Sequence, residues 1–367
     1  MKRNGAPFLW NGCAVLAEYA DFLHFYSKMD PSINEKIDVC NLFRLGDKIS
    51  TPWEEKPGFL SFKNSPALWT LGARPYNTKE ESNALIEEII TCANMFFDFV
   101  NEPEQKAKRL ELTNSNKDKI YLRAYSELNM YLRHLFSSYN TMISDEQLEE
   151  FLKNETLWGW VNFFKAIEES EYDKIVFVTY NYDIWLERIL KVLKIPFKIS
   201  GFSGFVDEKV EIIKPHGSIS FVPRGDIAAV YSVNYNLDFE GVPIEQLEIQ
   251  YDNLTRYPKG AIIPPAGDSM RLGTTAPWSQ KLRNEAKNMA MSIEEKDEIV
   301  LCGISYWHVD RRELDELLIN LNQDSNFTFV NPMPPRDLNA VLSSIFTNYV
   351  QQHSSSEIGG ILNGKTV

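Results

Sequence analysis

At 367 residues, with 44% apolar and 13% aromatic side chains, the chain has the composition of a folded globular protein and the length for one large α/β domain with an insertion, or for two domains. Its formal charge of −13 argues against a phosphate-neutralising surface, so direct nucleic-acid binding is not expected. No run approaches the roughly 18 apolar residues of a membrane span, and Cys13, Cys40, Cys92 and Cys302 are scattered without metal-ligand spacing, which excludes a zinc module and fits a reducing cytoplasm.

Met1-Lys2-Arg3-Asn4-Gly5 leads into too few apolar residues for a signal peptide, so no export is expected. Ala6 to Trp10 predicts a strand that turns at Asn11-Gly12, and Ala14, Leu16, Ala17, Phe22 and Leu23 predict a helix after it. From Asp30 to Pro75 turn signals such as Asp30-Pro31 and Lys56-Pro57-Gly58 interrupt any regular pattern. Between 79 and 170, Ile86, Ile89, Ile90, Ala93, then Tyr121, Tyr125, Leu128, Leu132, then Trp160, Phe163 and Phe164 follow helical spacing with few Gly or Pro. A largely helical insertion over 61–170 is expected, following a first strand, helix and irregular segment over 1–60.

From Asp173 strands and helices alternate, which predicts βαβ units and a parallel sheet. Predicted strands are Ile175–Thr179, Phe197–Ser200, Val210–Ile213, Ala261–Ile263, Ile299–Cys302 and Phe327–Val330; predicted helices are Asp183–Leu193, Pro277–Met291, Asp310–Leu321 and Pro335–Tyr349. The expected fold class is therefore α/β, a parallel sheet flanked by helices over 171–351, with a loose polar tail over 352–367.

The chemistry lies where these apolar runs stop, because open α/β sheets bind ligands at the carboxyl ends of their strands. Val176-Phe177-Val178 ends in Thr179-Tyr180-Asn181-Tyr182-Asp183. Asn181 offers an acceptor and two donors without titrating, whereas Asp183 stands where it would cap the next helix. Val210-Glu211-Ile212-Ile213 ends in Lys214-Pro215-His216-Gly217-Ser218. His216 is either a structural imidazole or a base working near pH 7, and Gly217 would let a ligand approach the backbone. Ile262-Ile263-Pro264-Pro265 predicts a rigid wall beside the sheet. Gly303-Ile304-Ser305 and Asn331-Pro332 end two further strands with small or amide residues.

In this order the segments resemble the sirtuin-like family across the carboxyl-terminal two fifths of the chain. The family runs T-x-N-Y-D, K-x-H-G-S, I-I-P-P, a Trp-containing helix that here carries Trp278, a strand ending G-x-S and a strand ending N-P. The resemblance implies a Rossmann-like domain that takes NAD as its substrate and splits the nicotinamide–ribose bond without a metal. It implies Asn181 at the water or ribose on the nicotinamide side and His216 as base on a ribose hydroxyl. Asn11, Gly12, Thr179, Asp183, Gly217, Gly303, Ser305 and Asn331 would line the dinucleotide.

Two departures narrow the likeness. The four-cysteine zinc ribbon of the family's protein deacylases is missing, so the chain is similar to the branch that hydrolyses NAD in bacterial antiphage defence and commonly carries a helical insertion. The amino-terminal glycine loop, whose backbone amides meet the pyrophosphate, is matched by Trp10-Asn11-Gly12-Cys13-Ala14, with Trp for the first Gly and Ala for the Ser. The resemblance implies an NADase releasing nicotinamide and ADP-ribose in abortive infection, held inactive until triggered. Its implied partners are further copies of itself and a separately encoded sensor or ATPase subunit. The alternative is a catalytically impaired nucleotide-binding scaffold subunit.

Overall fold

The structure is a computed structural model that describes residues 6–10, 26, 30, 43, 59–101, 116–154, 158–170, 172–202, 208–224, 242–256, 260–263, 276–304, 306, 311–356, 358 and 361. Its strands are β1 (Ala6–Trp10), β2 (Ile175–Val178), β3 (Phe197–Ile199), β4 (Val210–Ile213), β5 (Phe221–Pro223), β6 (Leu247–Ile249), β7 (Glu298–Cys302), β8 (Asn326–Val330) and β9 (Asn348–Gln352). Its helices are α1 (Pro66–Thr70), α2 (Lys79–Asn101), α3 (Asn116–Thr141), α4 (Asp145–Asn154), α5 (Gly159–Ala166), α6 (Trp185–Val192), α7 (Pro277–Met291), α8 (Arg311–Ile319) and α9 (Arg336–Ile345).

Seven strands form one all-parallel sheet in the order β3-β4-β2-β1-β7-β8-β9. Every residue of β2, β4 and β7 is buried, as strands covered on both faces require, which is why they read as predominantly apolar runs interrupted only by Glu211 in β4 and Glu298 at the start of β7. The chain leaves β1 towards β2 on one side and later returns to its other side at β7. The order therefore reverses between β1 and β7, the Rossmann-like arrangement in which strand ends on both sides of the switch point can face one ligand. β5 and β6 pair separately and antiparallel.

Helices α1 to α5 share one continuous hydrophobic core with the sheet. Trp160, Phe163 and Phe164 of α5 pack their rings on Phe177 of β2, with centroids 6.1–6.4 Å apart. From α3, the buried Arg133 donates to the carbonyls of Ile219 (2.9 Å) and Leu254 (2.7 Å), and Asn129 donates to that of Ile262 (3.2 Å). The helical segment thus braces the loops beyond β4.

Three expectations are corrected. The helix predicted over Pro335–Tyr349 stops at Ile345, because Phe346 stacks on Phe327 at 4.1 Å and Tyr349 packs on the same ring at 6.2 Å, which turns the chain back along β8 as β9. Gln351 and Gln352 accordingly belong to a strand, and Ile358 and Ile361 are buried, so the carboxyl-terminal segment is packed as far as 361 at those points. Ala261–Ile263 makes one isolated antiparallel bridge, Gly217 to Ile262, and no strand. The predicted helix after Asn11-Gly12 lies outside the described residues.

Candidate functional site

Parallel register decides what meets what. β2 and β4 pair with Val178 opposite Ile213. Asn181 and His216 each follow three residues later, so two segments 35 residues apart in sequence leave adjacent strands at the same height. Their loops are knitted together: the Ile219 N–H donates to the Tyr182 carbonyl (2.8 Å), and the Tyr182 hydroxyl donates to the Ile263 carbonyl (2.5 Å). The Ile263 N–H in turn donates to the His216 carbonyl (2.9 Å). The Tyr180 ring lies 4.7 Å from the His216 ring. Thr179 shapes the turn, its hydroxyl accepting from the Asn181 N–H at 3.2 Å.

Both principal side chains are buried, Asn181 at 5% and His216 at 2% exposure. His216 Nε2 lies 2.8 Å from Glu313 Oε2 on α8, and Arg283 Nη2 on α7 lies 3.2 Å from the same oxygen. Two helices thereby deliver a carboxylate and a guanidinium to an imidazole that a third element presents. The Asn181 amide behaves differently. Its Nδ2 is buried and has no hydrogen-bond partner among the described residues, an arrangement that costs about 1–3 kcal/mol when nothing accepts from it.

Beneath this pair lies a buried charge cluster. Lys214 Nζ donates to Glu187 Oε1 on α6 (2.9 Å) and to the Asp183 carbonyl, and both side chains of the ion pair are within 1% of full burial. Asp183 Oδ1 accepts from the Trp185 N–H at the start of α6 (3.0 Å), the capping contact its position predicts. Two carboxyl groups and one ammonium cannot all be charged and neutral in sum. Burial pushes the Asp183 carboxyl up to about 7, with Lys214 and the Trp185 amide pulling it down and Glu187 adding to the rise.

The sign of the resulting pH dependence is fixed. An unfolded aspartate ionises near pH 3.9, whereas the folded group holds its proton to about 7. The folded state binds more protons in between, so stability falls as pH rises from about 4 to about 7. Asp183→Asn keeps the Trp185 acceptor and cannot ionise. It is expected to stabilise the protein at pH 8 by on the order of 4 kcal/mol and to change little at pH 4. Urea unfolding at both pH values checks this; an equal effect at both contradicts it.

The remaining predicted residues divide. Gly217 adopts φ +83°, and a Cβ there would sit 1.8 Å from the Ala261 carbonyl oxygen and 2.9 Å from the Trp278 ring. Protein fills the space expected to admit a ligand, so this glycine serves packing. Gly303 adopts φ +67° and donates its N–H to the Val330 carbonyl (3.1 Å). The Asn331 amide is taken at both ends, donating to Ile304 O (3.0 Å) and accepting from Met333 N (2.9 Å), which braces the ends of β7 and β8. Asn11, Gly12, Ser305, Pro264 and Pro265 lie outside the described residues.

Sequence reasoning missed Glu313, Arg283, Glu187 and Lys214 as site residues. Glu313 carried a signal: it stands four residues before Leu317 on the apolar stripe of α8, where a carboxylate stays buried only with a partner. Among the described residues no group of three or more His, Cys, Asp or Glu could hold a metal ion, and no helix is long and apolar enough to cross a membrane. The chain matches no family model and no curated protein.

Proposed function

We propose that the chain is a sirtuin-like NAD glycohydrolase that releases nicotinamide and ADP-ribose. The observation that carries this reading is the unmet Nδ2 of Asn181, buried beyond the carboxyl end of β2 at the same register height as His216 beyond β4, where an oxygen of a bound sugar or water would satisfy it. Strand ends from β4 to β8 span about 19 Å at the usual strand spacing, comparable with the length of an extended dinucleotide laid across the switch point. A small ligand would not need that breadth.

In the proposed reaction the C1′–N bond breaks, its electron pair leaves on nicotinamide, and water adds to an oxocarbenium-like C1′ before losing a proton to solvent. Asn181 orients the water or the ribose. His216 accepts hydrogen from a ribose hydroxyl as positive charge builds, raising electron density in the ring. Fixed dipoles held by buried side chains need no reorganisation at that moment.

Unchecked NAD loss would kill the host, so the activity belongs to a triggered effector of antiphage defence, acting in the cytoplasm as an assembly with a separately encoded sensor or ATPase subunit. The test incubates the full chain, alone and co-expressed with its gene neighbours, with NAD in 18O-water. Equal amounts of nicotinamide and ADP-ribose carrying 18O at C1′ are expected. NAD binding in a thermal-shift assay without any product would favour the scaffold subunit, and neither binding nor product would overturn the reading.

A further inference from the structure

The two edges of the seven-stranded sheet are built differently. β3, at one edge, has three residues, follows Pro196 and carries Lys198, whose Nζ lies 3.3 Å from Glu211 Oε2. Shortness, a proline and a lysine are the usual devices that keep an edge from pairing with another chain. β9, at the other edge, has none of them: Asn348-Tyr349-Val350-Gln351-Gln352 is five residues long, without a charged residue or a proline. It lies in the longest uncharged run of the chain, 338 to 356, in a sequence that is 24% charged. Register decides which bonds this edge offers. The Asn331 N–H donates to the Gln352 carbonyl (3.0 Å), so Gln352, Val350 and Asn348 turn their backbone groups to β8. By the alternation of a parallel ladder, Tyr349 and Gln351 turn theirs outward, where among the described residues no strand pairs with them. The side chains alternate too. Tyr349 packs on Phe327 and donates its hydroxyl to Asn339 of α9, whereas Val350, on the opposite face, is 47% exposed. On α9 itself the exposed residues after Asp337 are Ala340, Ser343 and Ser344, small and uncharged.

We propose that β9 is where a second copy of this chain docks. The two β9 strands pair antiparallel about a two-fold axis, with Val350 opposite Val350 and Tyr349 opposite Gln351. In that register each outward-turned residue exchanges both its backbone bonds with the other copy, and the two sheets join into one. The charge balance selects this occupant. A basic partner would be drawn to the acidic surface of a −13 chain, whereas another copy is repelled unless it approaches along an uncharged stretch such as this one. None of this depends on which bond the candidate site cleaves.

Sedimentation velocity of the full chain from about 1 to about 100 µM should show a concentration-dependent dimer of the 42.3 kDa chain. A monomer throughout that range overturns the proposal. Val350→Lys, which sets two ammonium groups face to face, should raise the dimer dissociation constant at least about 10-fold, and an equimolar mixture of Val350→Lys with Val350→Glu should restore association. Gln351→Pro removes an N–H that faces solvent in the single copy, where an edge strand tolerates proline, so it should weaken the dimer and leave the monomer folded. Met95→Lys, at an exposed apolar position on α2, should leave association unchanged. Register is read separately by cross-linking. Val350→Cys should give a disulfide-linked dimer on oxidation, above the wild-type background, because directly opposed residues of a non-hydrogen-bonded pair lie within disulfide reach; Asn348→Cys should not. A dimer that Val350→Lys and Gln351→Pro leave intact, or cross-linking through Asn348→Cys in place of Val350→Cys, puts the contact elsewhere and overturns the proposal.

Discussion

Gly217→Ala is expected to cost at least about 4 kcal/mol, the size reserved for substitutions that a packed backbone cannot absorb. Two independent penalties combine. The φ of +83° is unfavourable for any L-residue, and the new methyl would lie 1.8 Å from the Ala261 carbonyl oxygen and 2.7 Å from its carbon. Relief requires moving the 261–263 segment away, which breaks the Ser218 N–H to Ala261 O bond (3.0 Å) and the Ile263 N–H to His216 O bond (2.9 Å). His216 would then shift from Glu313, so any folded remnant should have lost activity as well. Gly72→Ala is the matched control, because its φ is +105° but nothing lies within 4 Å of the added Cβ. Strain alone predicts about 1–3 kcal/mol there. Chemical denaturation of both variants decides the matter; equal losses at the two positions would contradict this account.

Turnover should respond in the opposite way to stability at Asn181. Removing one preorganised donor from a site of developing charge lowers kcat about 10²- to 10³-fold, so Asn181→Ala should leave only a trace of NAD cleavage. Its folding stability should hold or rise, because the deletion removes a buried amide nitrogen that the protein leaves unpaired. His216→Ala should lower kcat about 10²- to 10⁴-fold and also destabilise, since Glu313 keeps Arg283 but loses its imidazole. Parallel melts and NAD-consumption rates test the contrast. An Asn181→Ala variant that is both less stable and fully active would show that the amide is structural.

Much of the fold was legible because buried parallel strands announce themselves. Ile175-Val176-Phe177-Val178 and Val210-Glu211-Ile212-Ile213 are covered on both faces, and their apolar runs have no other comfortable home. β9 was not legible. Asn348-Tyr349-Val350-Gln351-Gln352 is an edge strand, half exposed, and its polar content two residues after a helix reads as a helix end. β5 and β6 were hidden by brevity, at three residues each, and by Pro223 in the first of them.

The site was readable only in its local half. Asn181 and His216 follow strands of equal character, and the register of β2 with β4 converts that likeness into proximity. Glu313 and Arg283 reach the imidazole through helix packing, a relation that no spacing along the chain encodes. Thr179, Gly217 and Asn331 illustrate the converse. Their place in the motifs of the resemblance pointed to a ligand, while the hydrogen bonds and contacts they make are to the protein itself.

The proposed reaction has an amide and an imidazole acting together on one sugar ring, and a double-mutant cycle on kcat measures that coupling. Groups that stabilise a single transition state are strongly non-additive. Asn181→Ala combined with His216→Ala should therefore cleave NAD little more slowly than the slower single variant. Losses that multiply in full in the double variant, or turnover retained in either single one, would contradict the claim.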